Sequence, residues 1–481
     1  LAPAYLAPLY LGVKMRAIAP YLPLYGLGVF FFTVSQTFVS YHLAKKEYSF
    51  PLTAFVLTVF EVLLFSLGKH TLSTLVMTMS LFGFLNIACL SLLHIIYPKI
   101  KVPLNNVKDF LDLFSKWKKP KNEKNESLSP RILVFNWRDS KHLWGGGAEK
   151  YIHEIMSGLV KSGSKVTLFC GNDGKNPRNE VIDGVQVIRR GGFYTVYVWA
   201  FLYYVLRLRH FVDIIIDCEN GIPFMVPLYS RKQTYLIIHH IHQEVFRKHL
   251  HFPLSHIALF IEAKLMPMLY QHKKIITVSQ SSKVEIMKLG FHSEENIHVI
   301  EPGIDAHLFE PAEKTKYPSM VYIGRLKDYK NLDTGLVSFS KVLKSFPTAK
   351  FYIAGRGEAT DSLKALAKEL RIEKSVEFIG KVTESEKSHL FAKSWVALQP
   401  SMIEGWGITV IEANACGTPV IASNVNGLRD SIQDGKTGVL FTPKKSDELA
   451  RHIEEIFSNT ALRKRLSKEA LEWSKSFVWS K

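Results

Sequence analysis

Three long apolar runs open the chain, at about residues 21–43, 50–67 and 71–96. Each comes close to or exceeds the roughly 20 helical residues that cross a bilayer. Residues 1–100 hold only eight charged side chains: Lys14, Arg16, Lys45, Lys46, Glu47, Glu61, Lys69 and Lys99. Three such runs in succession are rare in soluble domains, and the first is too long for the apolar part of a signal peptide. The pattern predicts about three membrane spans over residues 1–98. Glu61 is the one acid inside a run, where an acid either serves a function or faces a helix partner.

The basic residues around these runs predict an orientation. Lys45 and Lys46 follow the first run, and Lys99, Lys101, Lys108, Lys116, Lys118, Lys119, Lys121 and Lys124 follow the third. Positive charge favours the cytoplasmic side, and with three spans both clusters share it. A multi-pass location with the C-terminal portion in the cytoplasm is expected, although Lys14 and Arg16 fall on the opposite side. The chain begins at Leu1 rather than Met, so a fragment or a processed product, with more spans upstream, is expected.

The pattern changes after residue 98. Residues 99–130 are polar and Lys-rich, with a helical pattern over 107–118 carrying apolar Phe110, Leu111 and Phe114, then a flexible linker. Such a segment fits anionic headgroups, at about 1 kcal/mol per Lys, and fits a solvated spacer equally well. From residue 131 short β-rich runs alternate with helical patterns. One series of strands is expected at 132–136, 165–170, 185–188, 213–217, 234–238 and 274–278. A second is expected at 319–323, 350–354, 376–379, 395–398, 419–422 and 438–441. Helices are expected between many of them, for example at 148–160, 361–370 and 446–457. Strand–helix alternation points to parallel, doubly wound sheets. The predicted fold is therefore α/β, with two Rossmann-like domains over 131–305 and 306–470 facing across a cleft. The joint falls near Gly303-Ile304-Asp305. In such folds ligands bind beyond the C-terminal strand ends.

Composition narrows the function. The 481 residues carry a net charge of +18, and 47% are hydrophobic, which excludes a disordered chain. The charge raises nucleic-acid binding as a class, but no RNP, zinc-finger or helix-turn-helix pattern is present. Much of the excess is the +5 of residues 99–131, better matched to lipid. Four cysteines without a CxxC pattern exclude a disulfide scaffold and fit a reducing compartment.

Four motifs sit at strand ends. Trp144-Gly145-Gly146-Gly147-Ala148-Glu149 opens a helix. Glycine lets a ligand approach the backbone, and a helix N-terminus offers free N–H groups to a phosphate. A flexible turn is the alternative. Gly324-Arg325-Leu326 with Lys330-Asn331 puts two cations straight after a strand, as a diphosphate requires or as a solvated basic loop would show. The stretch from Gln399 to Pro419 runs strand, Gly-rich loop, helix, with Glu404 in the loop and Glu412 in the helix. Carboxylates accept hydrogen bonds from sugar hydroxyls. Gly417 and Pro419 end that helix. Finally, His239, His240 and His242 follow a strand, but their spacing is not that of a zinc helix and no third ligand is evident. No metal site is expected.

Residues 131–481 resemble a family-4 retaining glycosyltransferase with the GT-B fold. The matching pieces are GGGAEKYI, VDIIIDCENGIPFMVPLY, IIHHIHQEVF, TVSQSSK, EPGIDAHLF, YIGRLKDYKN, YIAGRGE, EGWGITVIEANACGTPVIA and GKTGVLF. The family's Glu-x7-Glu pattern falls on Glu404 and Glu412. The resemblance implies that Gly146 and Gly147 approach the donor diphosphate, with Arg325 and Lys330 neutralising it. It implies that Glu404 contacts the transferred sugar, that Gly405, Trp406, Gly407 and Ile408 line it, and that Glu412 holds the ribose. His239 lies nearest the reacting sugar, with the adjacent His240 as the alternative. The resemblance also implies that Ser279 and Gly355 line the cleft and that Gly324 belongs to the donor-binding set. Phe477-Val478-Trp479, within residues 471–481, resembles the start of the family's final crossover helix. Trp406 stands where the family commonly has Phe. Asp217-Cys218-Glu219 mimics the acid-x-acid metal site of the other glycosyltransferase fold but follows a central strand here.

The N-terminal spans resemble, more loosely, the C-terminal transmembrane helices at the end of a polysaccharide flippase. Together these resemblances imply a membrane-attached, retaining, metal-independent hexosyltransferase of family 4, without a cofactor. Its donor would be a UDP- or GDP-sugar and its acceptor a lipid-linked or other glycan, in polysaccharide or glycolipid biosynthesis. Membrane and nucleotide sugar are the expected partners, and nucleic acid is not. The competing reading is a flippase fragment with a cytoplasmic nucleotide-sugar-binding domain.

Overall fold

A computed structural model of the chain describes residues 19–45, 49–67, 71–96, 113, 129–193, 195–291 and 294–479. The juxtamembrane helix expected over 107–118 lies outside them except for Leu113. Fourteen strands are present among the described residues. They are β1 (Arg131–Phe135), β2 (Lys165–Cys170), β3 (Asn179–Ile182), β4 (Val185–Arg189), β5 (Ile214–Glu219), β6 (Gln233–Ile238) and β7 (Lys274–Thr277). They continue as β8 (Ile297–Val299), β9 (Ser319–Ile323), β10 (Lys350–Ala354), β11 (Val376–Gly380), β12 (Val396–Gln399), β13 (Val420–Ser423) and β14 (Gly438–Phe441). The chain divides into two compact units. The first is Leu1–Ser129, Trp137–Trp144 and Thr167–Phe211, and the second is Pro130–Asn136, Gly145–Val166 and Val212–Lys481.

In the first unit the apolar runs form the helices Leu22–Ala44, Ser49–Leu67 and Leu72–Ile96, N-terminal to the α/β region. Two stretches, Leu22–Ala44 and Leu72–His94, are long and apolar enough to cross a membrane by length and composition; in the middle helix the apolar stretch is the shorter Thr53–Val62. Small residues let the first and third helices approach. A Cβ on Gly83 would lie 3.0 Å from the Phe31 Cβ, and the Ser80 hydroxyl donates to the Leu24 carbonyl at 2.7 Å. Such small-residue contacts suit helices that meet without a hydrophobic driving force. Phe30, Phe32, Phe60, Met77, Leu81 and Phe84 remain exposed.

The same unit carries a strand pattern that the sequence reading does not anticipate. β3 pairs antiparallel with β4, which runs parallel to β2. The β3–β4 hairpin turns on Asp183 and Gly184, both at positive φ (48° and 80°). A two-residue Asp-Gly loop with both residues left-handed matches the right-handed twist of its strands. Beside it, the Arg189 guanidinium is fully buried against the Asp139 carboxylate and also reaches Glu180 at 2.9 Å.

The second unit holds two parallel sheets, the expected pair of Rossmann-like layers. One runs β1-β5-β6-β7-β8 with every pairing parallel. The other runs β11-β10-β9-β12-β13-β14, also all parallel. The second order is that of a doubly wound dinucleotide-type sheet, with its switch between β9 and β12. Met320, Phe351, Val396 and Ile421 from its strands pack with Leu336, Phe339 and Ile453 from its helices. Runs of apolar residues buried on both faces are what parallel strands require. β8 is only three residues long, too short to stand out in the sequence.

Of residues 471–481, expected to start a crossover helix, 480–481 lie outside the described residues. The helix Thr460–Ser474 ends in a turn, and Val478 makes a parallel bridge with Ile304. The Ile304 N–H donates to the Phe477 carbonyl at 2.8 Å. The extended segment fits because Gly303 carries no side chain: a Cβ there would come within 2.9 Å of Trp479.

Removing Asp139 leaves a guanidinium that is nearly inaccessible to water with only the partly exposed Glu180 as its carboxylate. Asp139→Ala is expected to cost about 3 kcal/mol of stability. Glu180→Ala, at a partner 22% exposed, is expected to cost at most about 1 kcal/mol. Urea unfolding of the two variants checks the ranking, and equal costs would contradict it.

Candidate functional site

Every residue of the site described below lies in the second unit. The helix Gly147–Lys161 starts beyond the end of β1. The Gly146 N–H donates to the Glu149 carboxylate at 2.7 Å, which fixes the first turn. A Cβ added to Gly146 would stand 3.6 Å from the Arg325 guanidinium carbon, and one on Gly147 would stand 3.4 Å from Ile408 Cδ1. The glycine-rich N-terminus of one sheet's helix therefore meets two predicted site residues of the other sheet.

Arg325 follows β9, and its guanidinium reaches the Tyr329 hydroxyl at 3.4 Å. No carboxylate pairs with it among the described residues. Lys330 sits in the single turn Asp328–Lys330 and is ion-paired with Glu404. Gln399 Nε2 and the Ser401 hydroxyl each donate to the same Glu404 oxygen at 2.9 Å. Glu404 is thus held in place by three side chains of its own sheet.

The loop after Glu404 nestles against backbone. A Cβ on Gly405 would lie 2.6 Å from the His239 carbonyl oxygen. Gly407 takes φ +92° immediately before the helix Ile408–Ala415, a conformation that L side chains rarely adopt. Trp406 does not point along the same path. It is buried, with its ring 5.3 Å from Phe477.

Glu412 is 1% exposed and binds Lys387 at 2.8 Å and Lys150 at 3.2 Å. Its second oxygen has no hydrogen-bond partner. Lys150 comes from the helix after Gly146 and also reaches Glu384 at 3.0 Å. Burial alone would lower the Lys150 pKa, but Glu412 and Glu384 outweigh it and hold it at about 12. Lys150, Lys387 and Glu384 escaped the sequence reading. Only the position of Lys150, one turn into a glycine-led helix, hinted at its role.

His239 follows β6. It is buried, its Nε2 has no partner, and it meets Tyr151 edge-on at 5.4 Å. Burial pushes its pKa down to about 4, so the ring is neutral at pH 7. His240 is also pushed down by burial, and unlike His239 it feels the charges of Lys330 and Arg325. Ser279 has a local duty: it caps the helix Gln280–Lys288 through the Ser282 N–H at 3.1 Å. Ser282 in turn donates to the His239 carbonyl at 3.1 Å. Gly324 and Gly355 pack on each other. Gly355 has φ +142°, and a Cβ there would overlap the Gly324 carbonyl. Ser279 is thus engaged in a local cap, and Gly324 and Gly355 in close backbone packing.

The histidine segment also brings together a cluster that spacing did not reveal. Glu219, His242 and Glu262 place one ligand atom each within 4.8 Å of one another. Both carboxylates are fully buried. The nearby Asp217 instead accepts from Tyr270 and from the Phe224 N–H at 2.9 Å.

Glu412→Gln removes the carboxylate shared by the buried Lys387 and the partly exposed Lys150. It is expected to destabilise the second unit by about 3 kcal/mol, and Lys387→Met by clearly less, because Lys150 then keeps Glu412. Thermal melts compare the pair, and a Glu412→Gln melt equal to wild type would refute the sharing.

Comparison with known proteins matches this geometry to named families. Residues 145–308 match the family described as Glycosyltransferase Family 4, and residues 304–473 match Glycosyl transferases group 1. Glycogen synthase of Mycobacterium tuberculosis (strain ATCC 25618 / H37Rv) is 24% identical over 380 residues, covering 73% of this chain and 91% of that protein. Among solved structures, sucrose-phosphate synthase from Thermosynechococcus elongatus superposes with a TM-score of 0.63 at 19% identity, over 73% of this chain and 96% of that one. Anabaena Alr3699/HepE in complex with UDP and glucose gives 0.58 at 20% identity, over 73% and 96%. Residues 145–473 therefore carry a glycosyltransferase family 4 domain joined to a glycosyl transferases group 1 domain, and the protein is a glycosyltransferase of the GT-B fold.

Proposed function

We propose that the protein transfers a hexosyl unit from a UDP- or GDP-sugar to a lipid-linked or other glycan acceptor at a membrane surface. The observation that carries this reading is Arg325, a cation with no carboxylate partner among the described residues, beside Gly146 and Gly147 at the start of the helix Gly147–Lys161. A guanidinium and a helix N-terminus that converge in this way suit a diphosphate.

In the proposed reaction the donor diphosphate lies between Gly146, Gly147 and Arg325, with Lys330 on its other side. Breaking the bond between the sugar and the diphosphate releases negative charge on the leaving group. Preorganised cations and N–H groups stabilise that charge without a metal on the diphosphate. Glu404 accepts hydrogen bonds from the hydroxyls of the transferred sugar, and the open oxygen of Glu412 accepts from the ribose. Neutral His239 and His240 flank the sugar. Of the two, His240 couples to Arg325 and Lys330, which favours it as the ring nearer the diphosphate. The transition state is oxocarbenium-like, as in other glycosyl transfer, and the configuration is retained.

The apolar N-terminal helices support a membrane location and an amphiphilic acceptor. The Lys-rich residues 99–130 support a cytoplasmic face for the transferase region. The HepE complex with UDP and glucose supports a uridine donor.

Membranes carrying the full chain, given labelled UDP- and GDP-sugars with lipid extracts, test the proposal. Lys330→Ala and Glu404→Ala are each expected to lower transfer by about 100-fold or more while the thermal melt persists. Transfer at wild-type rates in both variants would dismiss the assignment.

A further inference from the structure

Glu219, His242 and Glu262 are used by neither the donor site nor the fold's apolar core. Glu219 ends β5, His242 stands just before the helix Gln243–His249, and Glu262 lies in the helical segment Ile261–Leu265. Three separate elements thus deliver one imidazole and two carboxylates to one point. His242 Nδ1 lies 3.3 Å from Glu219 Oε1 and 3.7 Å from Glu262 Oε1. Donor atoms about 2.0–2.2 Å from one tetrahedral ion are about 3.3–3.6 Å apart, close to these two separations, and one ligand atom from each of the three residues lies within 4.8 Å of the others.

Each carboxylate is oriented through one oxygen. Glu219 Oε1 accepts from the Gly221 N–H at 2.6 Å, and Glu262 Oε1 accepts from the His242 N–H at 2.6 Å. The other oxygen of each, Glu219 Oε2 and Glu262 Oε2, is buried without any hydrogen-bond partner. Both side chains are 0% exposed. A protonated His242 would neutralise only one of the two carboxylates. The remaining buried charge, with two orphaned oxygens, is costly in a low-dielectric interior. A divalent ion removes that charge and gives both oxygens a partner.

We propose that Glu219, His242 and Glu262 form a binding site for a divalent transition-metal ion, Zn2+ or Mn2+. The donor set decides the class. One imidazole nitrogen with carboxylates suits these ions better than Ca2+ or Mg2+, which prefer all-oxygen shells, and the absence of thiolate argues against Cu+. Phe246, 5.8 Å from the His242 ring and nearly parallel to it, covers one side. His242 remains 13% exposed. The ion would tie the end of β5 to the segment that carries His239 and His240. Its role is positioning, and it takes no part in the proposed chemistry at the diphosphate.

The purified full chain, stripped with a chelator and given ZnCl2 or MnCl2 alone, tests the site. Metal content after gel filtration is expected near one retained equivalent, with a melting temperature that rises on loading. Glu262→Gln and His242→Gln are each expected to weaken retention at least 10-fold. Unaltered retention in both variants, or no saturable equivalent in the wild type, would overturn the proposal. If a variant does not fold, pulsed electron paramagnetic resonance of the Mn2+-loaded wild type decides instead. Coupling to the nitrogen of one histidine supports the site, and its absence refutes it. The readout is metal, so failure here leaves the transferase proposal standing.

Discussion

Glu412 sits where two sheets of the second unit must be held together. Its carboxylate is buried, and it takes one ammonium group from each sheet: Lys387 from the helix before β12 and Lys150 from the helix after β1. A lone carboxylate at that depth would cost several kcal/mol, so the two lysines and the acid stabilise one another or none of them is tolerated. Because Lys150 lies one turn into its helix, pinning it also pins Gly146 and Gly147 above Arg325. The approach of those glycines to the second sheet thus depends on an ion pair that touches no predicted reacting atom.

The absence of side chains does the complementary work. Gly405 presses on the His239 carbonyl, and Gly427, at φ +77°, would place a Cβ 2.5 Å from the Glu404 carbonyl. The loop that carries Glu404 is therefore packed backbone against backbone on two sides. Three donors from its own sheet then fix the carboxylate itself. Such a loop is preorganised before a ligand arrives, which is what electrostatic stabilisation of a leaving group demands.

The sequence made much of this legible, for a physical reason. Parallel strands buried on both faces are continuous apolar runs, and β2, β9, β10 and β14 fall where such runs stand. The Glu-x7-Glu frame was legible because its glycines are forced by close contacts. β3 was not read because its residues are half-exposed and alternate; its signature was the Asp183-Gly184 turn rather than hydrophobicity. Lys150 and Lys387 were hidden because nothing local distinguishes a lysine that pairs with a buried acid from one on a wet helix face. Phe477 to Trp479 resemble the start of the family's final helix, whereas Val478 bridges to Ile304. Their burial comes from packing against Trp406, Trp473 and Tyr151.

The histidine segment shows why spacing alone misleads. Glu219, His242 and Glu262 stand about twenty residues apart, roughly the length of a strand–helix unit. Periods of that kind bring groups to the same edge of a parallel sheet without any short motif. Asp217 and Glu219, two residues apart on β5, look equivalent in sequence. Their surroundings separate them: Asp217 is surrounded by donors from Tyr270, Phe224 and Val226, whereas Glu219 keeps an orphaned oxygen beside an imidazole and a second acid. The acid-x-acid pattern of Asp217 and Glu219, discounted as a metal site in the sequence, is therefore not itself the ligand set. One of its two carboxylates joins a different set, assembled by the topology of the sheet.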